Sequence, residues 1–167
     1  MSKPGNKMMQ AARSAARMAA VQGLYQMDLA ATPINDVVRD LMLTPLREGE
    51  AVEDVADPDA DAPIEPDETF LAELLRGVVR LQRDIDPMID GQLATGWRLA
   101  RVDSTLRAIL RAGVFELTER KEVPARVVIN EYIEIAHAFF SADEPKVVNG
   151  VLDKLARRLR PDEFQSR

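Results

Sequence analysis

Apolar residues recur every three or four positions along most of this chain, and no segment sustains alternation at every second position. A spacing of three to four gathers side chains on one helix face, whereas a half-buried strand needs a period of two. The expected fold is therefore all-α, a bundle of six or seven helices without internal repeats. A first helix is read over residues 7–29, its inner face carrying Met9, Ala12, Ala16, Ala20 (or Ala19), Gly23 and Met27. Thr32-Pro33 opens a second, running to about Leu46. Asp67 caps a third with Phe70, Leu71, Leu74, Leu75, Val78 and Leu81, which Asp86-Pro87 breaks or re-nucleates. A short segment with Met88, Ile89 and Leu93 leads to Gly96, and Trp97 and Leu99 precede a second cap, Asp103.

From Ser104 to about Glu119 a helix buries Leu106, Ile109 or Leu110, Gly113 and Leu117. Val123-Pro124 restarts the chain into a helix ending at Phe140, with Ile129, Ile133, Ala136 and Phe140 on one face. Asp143 caps the last helix, where Val148, Val151, Leu152, Leu155 and Leu159 point inward. Asn149-Gly150 costs helix propensity, so a close helix–helix contact is expected at Gly150 and a bonded amide at Asn149.

With 167 residues, 46% of them hydrophobic, the chain can bury the core of one domain. It has no cysteine, which excludes a disulfide scaffold, a thiol nucleophile, a Cys-based zinc site and an iron–sulfur cluster. Its single histidine, His137, excludes a multi-histidine metal centre within one chain. No apolar run reaches the roughly 18 residues of a membrane span, and the first thirty residues lack a signal-peptide stretch. The expected compartment is the cytoplasm, with no membrane partner. The net charge of −6 conceals an uneven distribution. Residues 48–68 hold ten carboxylates and no Lys or Arg, and taking those ten out leaves +4 for the rest. Residues 1–27 carry Lys3, Lys7, Arg13 and Arg17 without one acid. With three prolines and mostly small apolar residues, the stretch 47–66 reads as a mobile acidic loop.

Little here suits catalysis. Glu131 and Glu134 lie three apart on a helix and are read as facing water or bracing an arginine; His137 is read as a surface or packing residue. Phosphate-binding glycine motifs are absent from the sequence, and no cofactor is expected. The basic first helix carries more information. Arg13 and Arg17 are one turn apart, so both guanidinium groups are expected to leave the same side. Lys3 and Lys7 extend this charge to the helix start, where cations oppose the helix dipole and need a reason other than stability. Tyr25 lies roughly 80° round the helix from Arg17. An aromatic beside cations suits unstacked bases, and a solvated basic face with a core tyrosine is the competing reading. A second basic set comprises Lys146, Lys154, Arg157, Arg158 and Arg160; the distal four also complement the last turn of their helix.

Several motifs then stand in order: Arg13, Ala16-Arg17 and Ala20-Val21-Gln22-Gly23-Leu24-Tyr25; Phe70, Leu74-Leu75 and Gly77-Val78; Trp97, Arg111 and Glu116-Leu117; Val123-Pro124, Val128-Ile129-Asn130-Glu131, Glu134 and Ala136; Val148-Asn149-Gly150-Val151-Leu152-Asp153. From about residue 8 to 160, broken by the acidic loop, the chain resembles the NusB family of bacterial transcription antitermination factors. The resemblance implies one domain over 1–167, with an N-terminal helical subdomain at 7–85 and a C-terminal one at 86–160. It implies binding to the single-stranded boxA element of nascent ribosomal RNA as a heterodimer with NusE, a small-subunit ribosomal protein. Other Nus factors and RNA polymerase follow indirectly. Carried over by position, the RNA-binding residues are Arg13, Arg17, Tyr25, Asp143 and Lys146.

Three departures from the family pattern stand out. Ser14 and Ala15 stand where basic residues are common, Val147 stands at a phenylalanine position of the RNA surface, and Phe140 replaces a small residue. Lys3 and Lys7 are the cations able to compensate for the thinner arginine cluster. Two other classes compete with the antitermination reading. A NusB-like domain also precedes the catalytic domain of a ribosomal-RNA cytosine methyltransferase, but that activity needs a cysteine nucleophile and a large Rossmann-like domain. A structural homodimer built on the Ala-rich helix is the third.

Overall fold

The computed structural model describes residues 4–43, 64–95 and 97–165. Among them are six α-helices and no strand: α1 (Pro4–Ala30), α2 (Ile34–Leu43), α3 (Glu68–Asp90), α4 (Ser104–Glu119), α5 (Ala125–Phe139) and α6 (Glu144–Leu159). Short 3₁₀ turns occupy Leu99–Arg101 and Pro161–Phe164. The all-α expectation is met. Lys3, Gly96 and nearly all of the acidic stretch lie outside the described residues.

Local chemistry places several helix starts. Asp67 accepts from the Phe70 amide at 3.1 Å and opens α3, and Asp103 accepts from Thr105 and Leu106 at 2.8 and 3.4 Å and opens α4. The expected break at Asp86-Pro87 does not occur. Pro87 sits in the last turn of α3, where its missing N–H removes one bond only, and buried Ile85 and Ile89 hold both sides on the core. Asp143 does not act as a side-chain cap either: its backbone is already helical (φ −88°, ψ −7°) and its carboxylate makes no capping bond.

The central element is α4, which packs against α1, α3, α5 and α6. Small residues permit this crowding. A Cβ built on Gly77 of α3 would lie 2.1 Å from the Phe115 ring, and one on Gly113 of α4 would lie 2.9 Å from Leu152. Close contact at Gly150 is not found: a Cβ there meets nothing within 4 Å, and Asn149 is exposed. The buried face of α1 is Ala16, Ala19, Ala20, Val21, Gly23 and Leu24, while Met9 is exposed because residues 5–10 lie off the core. On α5 the buried face centres on Tyr132, with Val128, Ile129, Ile135 and Ala136; Ile133 and Phe140 are half-buried at its edge.

Candidate nucleic-acid interface

The basic face expected on α1 divides in two. Lys7 is exposed and Arg13 is half-buried. Arg17 is 3% exposed and does not face solvent, a correction to the expected surface pair. Its Nε and Nη2 donate to Glu116 Oε2 and Oε1 at 2.8 and 2.9 Å, and Nη1 lies 3.6 Å from Glu131 Oε1. The Tyr132 hydroxyl donates to Glu116 Oε2 at 2.5 Å, and Ser14 Oγ donates to Glu131 Oε1 at 2.8 Å. Burial alone would lower the Arg17 pKa, but the hydrogen bond and charge of Glu116, with Tyr132 and Glu131, carry it above the ordinary arginine value. Burial, and then the charge and hydrogen bond of Glu116, push the Tyr132 phenol well above the usual tyrosine value.

Phe70 is the floor of this cluster. The guanidinium carbons of Arg13, Arg17 and Arg120 stand 5.4, 5.1 and 5.3 Å from its ring centroid. The flank of Arg13 is thus held by an aromatic face, which presets the side chain near the surface.

The helices align the remaining candidates. Arg17 meets Glu116 and Asp28 meets Arg107 (2.7 Å), so α1 runs antiparallel to α4. A short connection at 120–124 turns the chain back into α5, which therefore runs in the same sense as α1. Ser14 and Arg17 stand level with Glu131. Eight residues further along each helix, a rise of about 12 Å, come Tyr25 and Phe139, at the end of the bundle where α6 begins. Both are exposed, at 40% and 43%. Asp143 and Lys146 are exposed at that start, and Val147 is half-buried against the core. Phe139 is a surface aromatic that the sequence reading did not single out, although placing Phe140 on the inner face already turned its neighbour outward.

Of the distal cations, Lys154 and Arg158 are exposed, and Arg157 pairs with Asp153 at 3.0 Å. Arg160 is buried and donates to the carbonyls of Glu116, Leu117 and Arg120, each at 3.0 Å, to that of Val123, and to Glu163 at 3.1 Å. Glu134 and His137 are exposed. No group of three metal-ligating side chains occurs among the described residues, and no described helix is long and apolar enough to cross a membrane.

The model of the NusB family matches residues 14–157. The chain belongs to the NusB family. NusB proteins of known sequence agree over nearly its whole length. The transcription antitermination protein NusB of Rhodopseudomonas palustris is 49% identical over 152 residues, covering 91% of this chain and 83% of the relative. That of Maricaulis maris is 50% identical over 158 residues, covering 91% and 90%. Among solved structures, T. maritima NusB superposes with a TM-score of 0.70 at 25% identity, over 98% of this chain and 99% of that one. A chain from a complex of the antitermination factors NusB and NusE with double-stranded RNA gives 0.68 at 22% identity, over 89% and 98%, a likeness of fold.

Proposed function

We propose that this NusB-family chain binds the single-stranded boxA element of nascent ribosomal RNA, together with NusE, in the cytoplasm. The observation that carries the reading is the shared end of the bundle where exposed Tyr25 and Phe139 accompany the Asp143–Lys146 start of α6. Aromatic faces stack unpaired bases while nearby cations neutralise the backbone. Lys146 supplies that charge at this end of the bundle, Arg13 and Lys7 continue it about 18 and 27 Å back along α1 for the rest of the strand, Lys3 adds to it from the sequence, and Val147 supports the base-facing side of α6 from beneath. Asp143, with no capping bond to make, is available to accept from a base edge. Arg17 acts through position, fixing α1 on α4 and α5 so that its neighbours present correctly. The protein works as a binding factor rather than a catalyst, and it contacts other Nus factors and RNA polymerase through the RNA-bound pair. The helical subdomains at 7–85 and 86–160 act as one unit on this reading.

Support comes from relatives that are transcription antitermination proteins and from a fold neighbour solved with NusE and RNA. Fluorescence anisotropy of labelled boxA RNA, against a scrambled strand and with or without purified NusE, tests it. Tighter binding to boxA, further tightened by NusE, is expected; equal affinity for the scrambled strand overturns it.

A further inference from the structure

Beside the start of α6 lies a cleft of about 340 Å³ lined by Trp97, Arg98, Arg101, Asp103, Leu106 and Glu144. Trp97 is the only tryptophan of the chain and is 47% exposed. Arg98 and Arg101 are exposed, and neither has an ion-pair partner among the described residues. The two carboxylates differ. Asp103 is committed to capping α4, whereas Glu144 lines the cleft half-buried, its Oε2 turned inward, and accepts no hydrogen bond from a described residue. A carboxylate with no donor of its own in the fold is free to accept N–H groups from a ligand in the cleft.

Hydrogen bonds anchor the backbone of the platform. Leu99 is buried and its amide donates to Asp90 Oδ1 at 2.8 Å, while Arg107 Nη1 donates to the Leu99 and Ala100 carbonyls at 3.0 and 3.2 Å. Arg107 also holds Asp28 of α1. The 3₁₀ turn between Arg98 and Arg101 is thereby tied to α1, α3 and α4 at once, and a preordered site loses less on binding.

We propose that this cleft takes one further unstacked base of the bound single strand: the base stacks on Trp97, its flanking phosphates face Arg98 and Arg101, and its N–H edge donates to Glu144. Guanine fits best, because its ring N–H and exocyclic amine lie side by side, whereas adenine and cytosine offer the amine alone. Glu144 follows Asp143 directly, so the cleft continues the surface assigned above to RNA, and the proposal rests on that assignment.

The single tryptophan makes the test direct. Labelled boxA RNA is titrated into the full chain while anisotropy reports binding and tryptophan emission reports this cleft. Emission should fall in step with anisotropy. Trp97→Ala should weaken binding by roughly 5- to 150-fold, the range for one base stack, and Trp97→Phe should restore most of it. Arg98→Ala and Arg101→Ala should each lower the magnitude of the salt slope by about 0.7. Replacing guanine by inosine in the strand should weaken binding, and Glu144→Gln should abolish that difference. RNA that binds with emission unmoved, and equally well to Trp97→Ala, overturns the cleft while leaving the α1 and α6 surface standing. RNA that does not bind at all overturns both. Guanosine monophosphate quenching at the same concentration as the strand overturns the strand in favour of a free-nucleotide site.

Discussion

Arg17 and Glu116 lie 99 residues apart in sequence and meet through two parallel hydrogen bonds in the interior, with Tyr132 donating to the same carboxylate. A guanidinium and a carboxylate pair well in this forked geometry, and removing one partner leaves the other charge buried and uncompensated. Arg17→Ala should therefore destabilise the fold by about 3–5 kcal/mol, seen as a lowered urea midpoint. Lys7→Ala should change stability by no more than about 0.5 kcal/mol, as expected for an exposed side chain.

Charge at the RNA surface follows the opposite pattern. Lys7→Ala and Lys146→Ala should each reduce the magnitude of the log–log salt slope for single-stranded RNA by about 0.7, the contribution of one phosphate contact. Both side chains are exposed, so helix content by circular dichroism should stay constant. An unchanged slope in both variants would remove these lysines from the interface.

Tyr132 links stability to alkaline pH. Its phenol holds its proton to higher pH in the folded chain than in the unfolded one. The associated stability is thus fully present below the ordinary tyrosine pKa of about 10 and is lost as pH rises above it toward the folded value. Tyr132→Phe should cost about 1.5–3 kcal/mol at pH 7, the range for a hydrogen bond to a charged group. Above pH 10 its stability should decline less steeply than that of the unaltered chain. Thermal melts from pH 7 to 11 compare the two slopes.

Two glycines should respond with opposite signs. Gly77→Ala drives a methyl into the Phe115 ring and should destabilise by at least about 1–3 kcal/mol, the usual range for overpacking. Gly150→Ala meets open space within a helix and should stabilise by about 0.5–1 kcal/mol. Denaturant midpoints of the two variants decide it; a stabilised Gly77→Ala would mean that α3 moves away from α4 freely.

Whatever depends on near neighbours was readable before the fold was known. Periodicity locates the helices, and Asp67 and Asp103 cap them because the bonds close within three residues. Pairings across the bundle were not readable. Nothing beside Arg17 announces Glu116, although a carboxylate within the apolar run Gly113-Val114-Phe115-Glu116-Leu117 already requires a buried cation from somewhere. Gly150 misled for a related reason: propensity gives the cost of a glycine but not its cause, and here no neighbour approaches it. Asp143 has the residue type of a cap, but its backbone has already turned helical.

Arg160 closes the corner between α4 and α5 by gathering the carbonyls of Glu116, Leu117, Arg120 and Val123, while Glu163 accepts from the Ala125 amide at 3.0 Å and so serves the first turn of α5. Synthesis runs from the N-terminus, so the Leu117 carbonyl is made 43 residues before the side chain that satisfies it. At roughly 5–20 residues per second, that interval lasts about 2–9 s. During it the nascent helices can form and dock, but this corner holds polar backbone with no partner except water. The side chain that dries the joint is thus made only after α6 itself, and the corner between α4 and α5 stays wet until α6 docks.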